Sequence, residues 1–152
     1  MKKLLLLGIL FFQLFIVSCH KNQADEINGE MTPIKFISSN LTFTDTGNSV
    51  YLTNISADGG EYMMETTNYP SWYIYPISEK KDGDSQTINF EGFTYEYESD
   101  WYNLKIPSNK PTNLNISIES NPSKNSRELK IGITNGATFM SLTIIQAGKE
   151  IT

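Results

Sequence analysis

Cysteine and histidine are nearly absent from this sequence, one of each in 152 residues, and each scarcity removes a class of function. Cys19 has no partner for an internal disulfide, so a domain built from this chain must be held together by its apolar core. His20 stands beside it, outside any region with strand or helix periodicity, which removes Ser-His-Asp and histidine-metal constellations from the body of the chain. Basic residues are also few: 12 Lys and Arg face 17 Asp and Glu, and no basic cluster is longer than a pair such as Lys80-Lys81. Nucleic acid requires a basic stripe, so it is not an expected partner. No segment carries a convincing helical period.

What is present begins at the N-terminus. Met1, Lys2 and Lys3 form a short basic region, and Leu4 to Val17 follow as a run of fourteen positions interrupted only by Gly8 and Gln13. That is the length of a signal-peptide core, too short for a membrane span. The residues closing it, Phe15-Ile16-Val17-Ser18-Cys19, resemble the lipobox of bacterial lipoproteins: an apolar residue, a tolerant position, a small residue, then cysteine. The resemblance implies removal of residues 1–18, a diacylglycerol thioether on Cys19 and a further acyl chain such as palmitate on its freed amine. Each buried methylene adds roughly 0.8 kcal/mol, so several chains anchor stably. The expected setting is the cell envelope, on the outer membrane and open to surface exposure, because His20 is not the aspartate that marks inner-membrane retention. Cleavage would also move the formal charge from −5 to −7, since Lys2 and Lys3 leave and no acid does.

From Cys19 the chain runs 134 residues, single-domain size without internal repeats. Residues 19–37 are polar, contain Asn22, Asn28, Gly29 and Pro33, and read as the lipidated cysteine and a flexible spacer. Residues 38–149 are rich in Thr, Ile, Tyr, Phe and Ser with frequent Asn, Gly and Pro, the composition of strands and turns. Leu129, Ile131 and Ile133 alternate toward Met140, Leu142 and Ile144 across Asn135-Gly136, a hairpin whose six apolar side chains should share one core. Tyr62, Met64 and Thr66 follow the Asp58-Gly59-Gly60 turn with the same period, as do Leu114, Ile116 and Ile118. Val50 and Leu52, then Trp72, Ile74 and Pro76, then Tyr102, Leu104 and Ile106 bring the count to about seven strands. The fold expected is all-β, an immunoglobulin-like β-sandwich, with a small barrel as the alternative that shares the same alternation.

Several ordered residues carry a second resemblance. Gly59-Gly60 opens a strand, Trp72 follows a short loop, Asn125-Ser126-Arg127 introduces the strand of Leu129, Ile131 and Ile133, and Ile144-Ile145-Gln146-Ala147-Gly148 closes the run. In this pattern the stretch from Ala57 to Gly148 resembles the BACON domain, a β-sandwich module of lipoproteins and carbohydrate-active proteins in Bacteroidota-type bacteria. The resemblance implies a sandwich fold and an envelope setting, with a carbohydrate-binding or spacer role. Ser78 to Asp100 is longer and more aromatic than the family's usual connection, and no functional residue is carried over through it.

The search for chemistry turns on carboxylates and aromatics. Asp82, Asp84, Glu91, Glu96, Glu98 and Asp100 fall together and read as a solvated acidic face, with a carboxylate-based glycan-acting enzyme as the outside reading. Asp82-Gly83-Asp84-Ser85 lacks the further oxygen ligands of a calcium loop and reads as a polar turn. Neither cofactor nor metal is expected. Phe93, Tyr95 and Tyr97 alternate with Thr94, Glu96 and Glu98, and an unbroken strand would carry the same parity to Trp101. Tyr73 and Tyr75, opposite in phase to Trp72 and Ile74, extend that set. The set has two readings: half-buried packing, or an exposed platform for the apolar faces of a sugar. The expected function is a non-catalytic envelope lipoprotein, membrane-bound through its lipid, whose sandwich is a carbohydrate-binding or spacer module with Tyr73, Tyr75, Tyr95, Tyr97 and Trp101 as ligand contacts. The alternative is a protein-protein interaction or adhesion lipoprotein that meets another envelope protein.

Overall fold

The computed structural model describes residues 32–150; the expected leader, Cys19, His20 and the rest of residues 1–31 lie outside them, with residues 151 and 152. Among the described residues there are eleven strands and no helix, so no helix long and apolar enough to cross a membrane. The strands are β1 (Phe36–Ser38), β2 (Thr44–Asp45), β3 (Val50–Ile55), β4 (Gly60–Thr66), β5 (Tyr73–Lys81), β6 (Asp84–Ile88), β7 (Glu96–Glu98), β8 (Tyr102–Lys105), β9 (Asn113–Ile118), β10 (Arg127–Thr134) and β11 (Phe139–Gln146). They form two sheets, ordered β1-β4-β9-β8-β7 and β2-β3-β11-β10-β5-β6. Every pairing is antiparallel except β3 with β11. This is a β-sandwich, as the alternation predicts.

The core fills the space between the sheets for the reason the period gives. Leu129, Ile131, Ile133, Met140, Leu142 and Ile144 are all buried from one sheet, against Met64, Leu104, Leu114, Ile116 and Ile118 from the other, with Trp72 among them. Successive strand residues point to opposite faces, so the polar partners of each run stay wet. The Asn135-Gly136 hairpin forms in the expected register, Thr134 opposite Phe139, with Gly136 at φ +92° and the Asn135 side chain accepting from the Ala137 and Thr138 amides. Asp82 and Gly83, both at positive φ, make the two-residue turn between β5 and β6.

One irregularity resets the phase of a whole strand. Ile131 pairs with Ile77 and Ile133 with Ile74, so two residues of β5, Tyr75 and Pro76, oppose the single Gly132. This is a bulge, and it reverses the phase of β5 beyond it. Ile74 points inward, Pro76 does not take the inward place its parity predicts, and Ile77 and Glu79 do. A Cβ at position 132 would collide with the Tyr75 carbonyl, which is why glycine stands there.

The domain also starts earlier than residue 38. Ile34 is fully buried, Phe36 meets Phe43 and Tyr51 edge-on at 4.8 and 4.7 Å, and the Lys35 amide donates to Asn68 Oδ1 at 2.8 Å. Two inward side chains among Thr32, Pro33 and Lys35 are too short a period to read as a strand, so composition assigned them to the spacer. The chain thus comes in beside Asn68 and Tyr69, past the Thr66 end of β4, where the Tyr69 hydroxyl donates to the Thr32 carbonyl at 2.6 Å. The other end of β4, Gly60, pairs with Ile118, so the segment after β9 lies at the opposite pole.

Candidate functional site

Two regions carry the aromatic residues singled out by the sequence, and they are built differently. The first grows from the outward phase of β5. Tyr73 and Tyr75 point away from the core, and residues 93–95 lie alongside because the Ile74 and Thr94 amides each donate to the other's carbonyl, at 2.9 and 3.3 Å. Phe93 stacks on Tyr73 with ring centroids 4.9 Å apart, Tyr95 meets Tyr73 edge-on at 5.3 Å, and Phe93 meets Tyr75 at 6.2 Å. Phe93 is 53% exposed and Tyr95 50%, so four rings form a surface cluster with its outer members in water.

The parity that would carry this cluster to Trp101 fails at Tyr95. There the chain bends, leaves the six-stranded sheet and joins the five-stranded one as β7, where Tyr97 pairs with Leu104. Tyr97 consequently turns onto the core, 6.0 Å from Tyr102 and 5.5 Å from Phe90. Trp101 lies in the turn between β7 and β8 and is 2% exposed. The expected outward Trp101 is therefore corrected to an inward one, and the exposed cluster comprises Tyr73, Tyr75, Phe93 and Tyr95 without Tyr97 or Trp101.

The second region surrounds Trp101 at the pole remote from Thr32. Its indole Nε1 donates to Glu79 Oε2 at 3.1 Å, and the other Glu79 oxygen accepts from Gln86 Nε2. Glu79 reaches this place only because the bulge turned it inward. The Arg127 guanidinium lies 4.2 Å above the Trp101 ring, a cation–π contact that is strengthened by desolvation. Arg127 is the chain's single arginine and is 5% exposed. Its Nε donates to Gln146 Oε1 at 2.7 Å and its Nη2 to the carbonyls of Glu119 at 2.7 Å and Ser120 at 3.3 Å. Gln146 in turn donates to the Ala57 and Glu119 carbonyls, so one buried network ties the ends of β9, β10 and β11.

Burial pushes the Arg127 guanidinium below its ordinary pKa, while Asp100, Asp82 and Glu119 push it back up. The Tyr102 phenol is driven far above its ordinary value, first by burial and then by the nearby Glu79 charge. Over this network opens a cavity of about 500 Å³, with Arg127, Trp101, Asp82, Asp100, Glu119 and Asn121 among its lining residues. In the sequence Arg127 stood out only within the Asn125-Ser126-Arg127 run that introduces a strand, with no site role, and Glu79 not at all. The available signal was that arginine occurs once in the chain, at the start of an apolar strand; Glu79 gave none, because its parity before the bulge is outward.

The acidic run separates into individual roles. Asp100 is bonded to Lys81 Nζ at 2.6 Å, Glu96 lies 3.2 Å from Lys105 Nζ, and Asp82 accepts from Ser123 Oγ at 3.1 Å. The Lys81 ammonium, through its hydrogen bond, holds the Asp100 carboxyl below its ordinary value. Among the described residues no cluster of three His, Cys, Asp or Glu could hold a metal ion.

The fold is similar to that of a protein from Bacteroides thetaiotaomicron solved by NMR, with a TM-score of 0.61, 22% identity, and coverage of 83% of this chain and 96% of that one. At that identity the likeness shows the fold alone. No protein-family model and no curated protein matches the chain.

Proposed function

We propose that this chain is an exported envelope lipoprotein, anchored through Cys19, whose BACON-like sandwich is a non-catalytic module that recognises glycans through Tyr73, Tyr75, Phe93 and Tyr95. The observation that carries this reading is the exposed aromatic cluster. Four rings held together in water cost solvation that a lone surface ring does not, and a sugar's C–H face is the flat apolar partner that would relieve it. Glu96 and Lys105, an exposed ion pair lining the same groove as Tyr95, are polar groups that sugar hydroxyls could meet. Affinity would be weak, because a shallow surface leaves many hydroxyls paired with water.

The test is a glycan array probed with the full lipoprotein in a detergent without sugar headgroups. Hits should appear with the native protein, and those that depend on ring stacking should fall sharply with Phe93→Ala/Tyr95→Ala at nearly unchanged melting temperature. An empty array would overturn the reading, and crosslinking in cells would then test the spacer or protein-partner role. The anchor is tested separately: Cys19→Ser should abolish metabolic labelling by a fatty acid, since a hydroxyl cannot form the thioether, and labelling that survives would refute the lipobox assignment.

A further inference from the structure

Arg127 is held more firmly than its own hydrogen bonds to the fold require, and one of its donors is left over. Nε and Nη2 are committed to Gln146, Glu119 and Ser120, and the plane of the guanidinium rests on the Trp101 ring. Nη1 has no hydrogen-bond partner among the described residues, and it is not among the polar atoms sealed from solvent. No carboxylate of the described residues lies within ion-pair distance of the group. A nearly buried arginine whose plane is already fixed and whose remaining N–H groups reach solvent is a preset donor, which a ligand oxygen can take over from water with little ordering of the side chain.

The other walls decide what that acceptor belongs to. The cavity lining contains two cations, Lys81 and Arg127, against four carboxylates, Asp82, Glu98, Asp100 and Glu119. An anion would meet the free Nη1 but be repelled by the carboxylates, and a cation would meet the carboxylates and leave Nη1 unmatched. A hydroxyl accepts from the guanidinium and donates to a carboxylate in the same geometry, and neighbouring hydroxyls on a ring do both at once. About 500 Å³ lies within the range of small-ligand clefts.

We infer that the cavity beside Arg127 is a second binding site, taking the hydroxyl edge of a neutral sugar at the pole remote from Thr32. This deepens the recognition reading, and its chemistry is separate: the aromatic cluster meets ring faces, the Arg127 cavity meets hydroxyls. Arg127 Nη1 is the donor, Asp100 and Asp82 are acceptors, and Trp101 and Gln146 are positioning residues that hold the guanidinium.

Because the chain has one arginine, its side-chain NεHε signal is a unique reporter in a ¹H–¹⁵N spectrum. The experiment titrates the ¹⁵N-labelled lipoprotein, in a zwitterionic detergent, with maltotriose, cellotriose, mannotriose and xylotriose in turn, and with trigalacturonate as the charged comparison. At least one neutral trisaccharide should move the signal saturably, and trigalacturonate should not. Arg127→Lys would remove the reporter itself and risk the fold, so the test variant is Asp100→Ala, at a side chain 66% exposed, which should weaken binding about tenfold, the loss of one charge-assisted hydrogen bond. A static signal with every neutral sugar overturns the proposal, as does a response to trigalacturonate alone or one insensitive to Asp100→Ala. Phe93→Ala/Tyr95→Ala should leave the arginine response intact; if it removes that response, the cavity is not the site. Loss of array hits in that variant with a silent arginine would leave the aromatic reading standing and this one refuted.

Discussion

Trp101 and Tyr95 lie six residues apart, share one parity in the sequence, and end in opposite environments. Trp101 itself is anchored: the indole N–H meets Glu79, the ring carries Arg127, and Arg127 ties down the ends of β9 and β10, although the buried Tyr102 hydroxyl beside it has no hydrogen-bond partner among the described residues. Around Tyr95 the rings pack on one another, and Phe93 and Tyr95 stay about half exposed. The difference is in what faces each ring. Buried aromatic surface needs a partner for its polar tip and a packed partner for its faces, and its pole supplies both to Trp101.

The largest effect should come from breaking the anchored side. Trp101→Ala removes a buried indole, a donor to Glu79 and the surface under Arg127, and should cost about 3–5 kcal/mol in chemical denaturation. Tyr95→Ala, measured beside it, should stay within about 0.5 kcal/mol. Equal losses would mean that the two regions do not differ as described. Gly132→Ala comes next, because its Cβ would press on the Tyr75 carbonyl at the bulge that turns Glu79 inward. About 1–3 kcal/mol is the expected cost by the same measurement, with the Trp101 environment perturbed in near-ultraviolet dichroism and the Asn135-Gly136 hairpin unaffected.

Smaller still is the difference the N-terminal boundary should make. A chain beginning at Ser38 loses Ile34 and Phe36, and should melt several degrees below one beginning at residue 31, roughly in line with a loss of 1–2 kcal/mol. Equal melting would return residues 32–37 to the spacer. The smallest effect is electrostatic. Asp100 has a folded pKa depressed by Lys81, so its stabilisation is present above the unfolded carboxylate value near 4 and is lost as pH falls through the folded value. The pair is largely exposed and screened, so the loss should be below about 1 kcal/mol, and Lys81→Ala should flatten that part of the pH–stability curve.

The sequence was informative where the period was long and two-sided. The seven runs read from it are β3, β4, β5, β8, β9, β10 and β11, which are the interior strands of the two sheets. Of the four sheet edges, β1, β2 and β6 escaped, and β7 was read only as part of one unbroken strand from Phe93 onward. An edge strand has one neighbour, is short, and on β2 and β6 has almost no buried face, so it leaves little alternation to detect. Of the candidate site, Tyr73, Tyr75 and Tyr95 were legible because they lie on one side of a regular strand or beside it. Tyr97 and Trp101 were misread because parity assumes an unbroken strand, and the chain changes sheets at Tyr95. Glu79 was hidden by the bulge, whose cause is a contact between Gly132 and a distant residue that no local pattern contains.

The placement of β11 sets the order of events when the molecule is made. Phe139–Gln146, near the C-terminus, sits inside the six-stranded sheet, parallel to β3 on one side and antiparallel to β10 on the other. Until that segment is free, β3 and β2 have no route to β10, β5 and β6, and half of the core has no wall. A chain released from its N-terminus, by a ribosome or through a translocation channel, therefore holds the six-stranded sheet open until Phe139–Gln146 emerges, and that sheet closes only then. Loss of the chain from Phe139 onward would leave β2 and β3 separated from β10, β5 and β6, whereas a chain still held at that segment stays extensible and competent for passage.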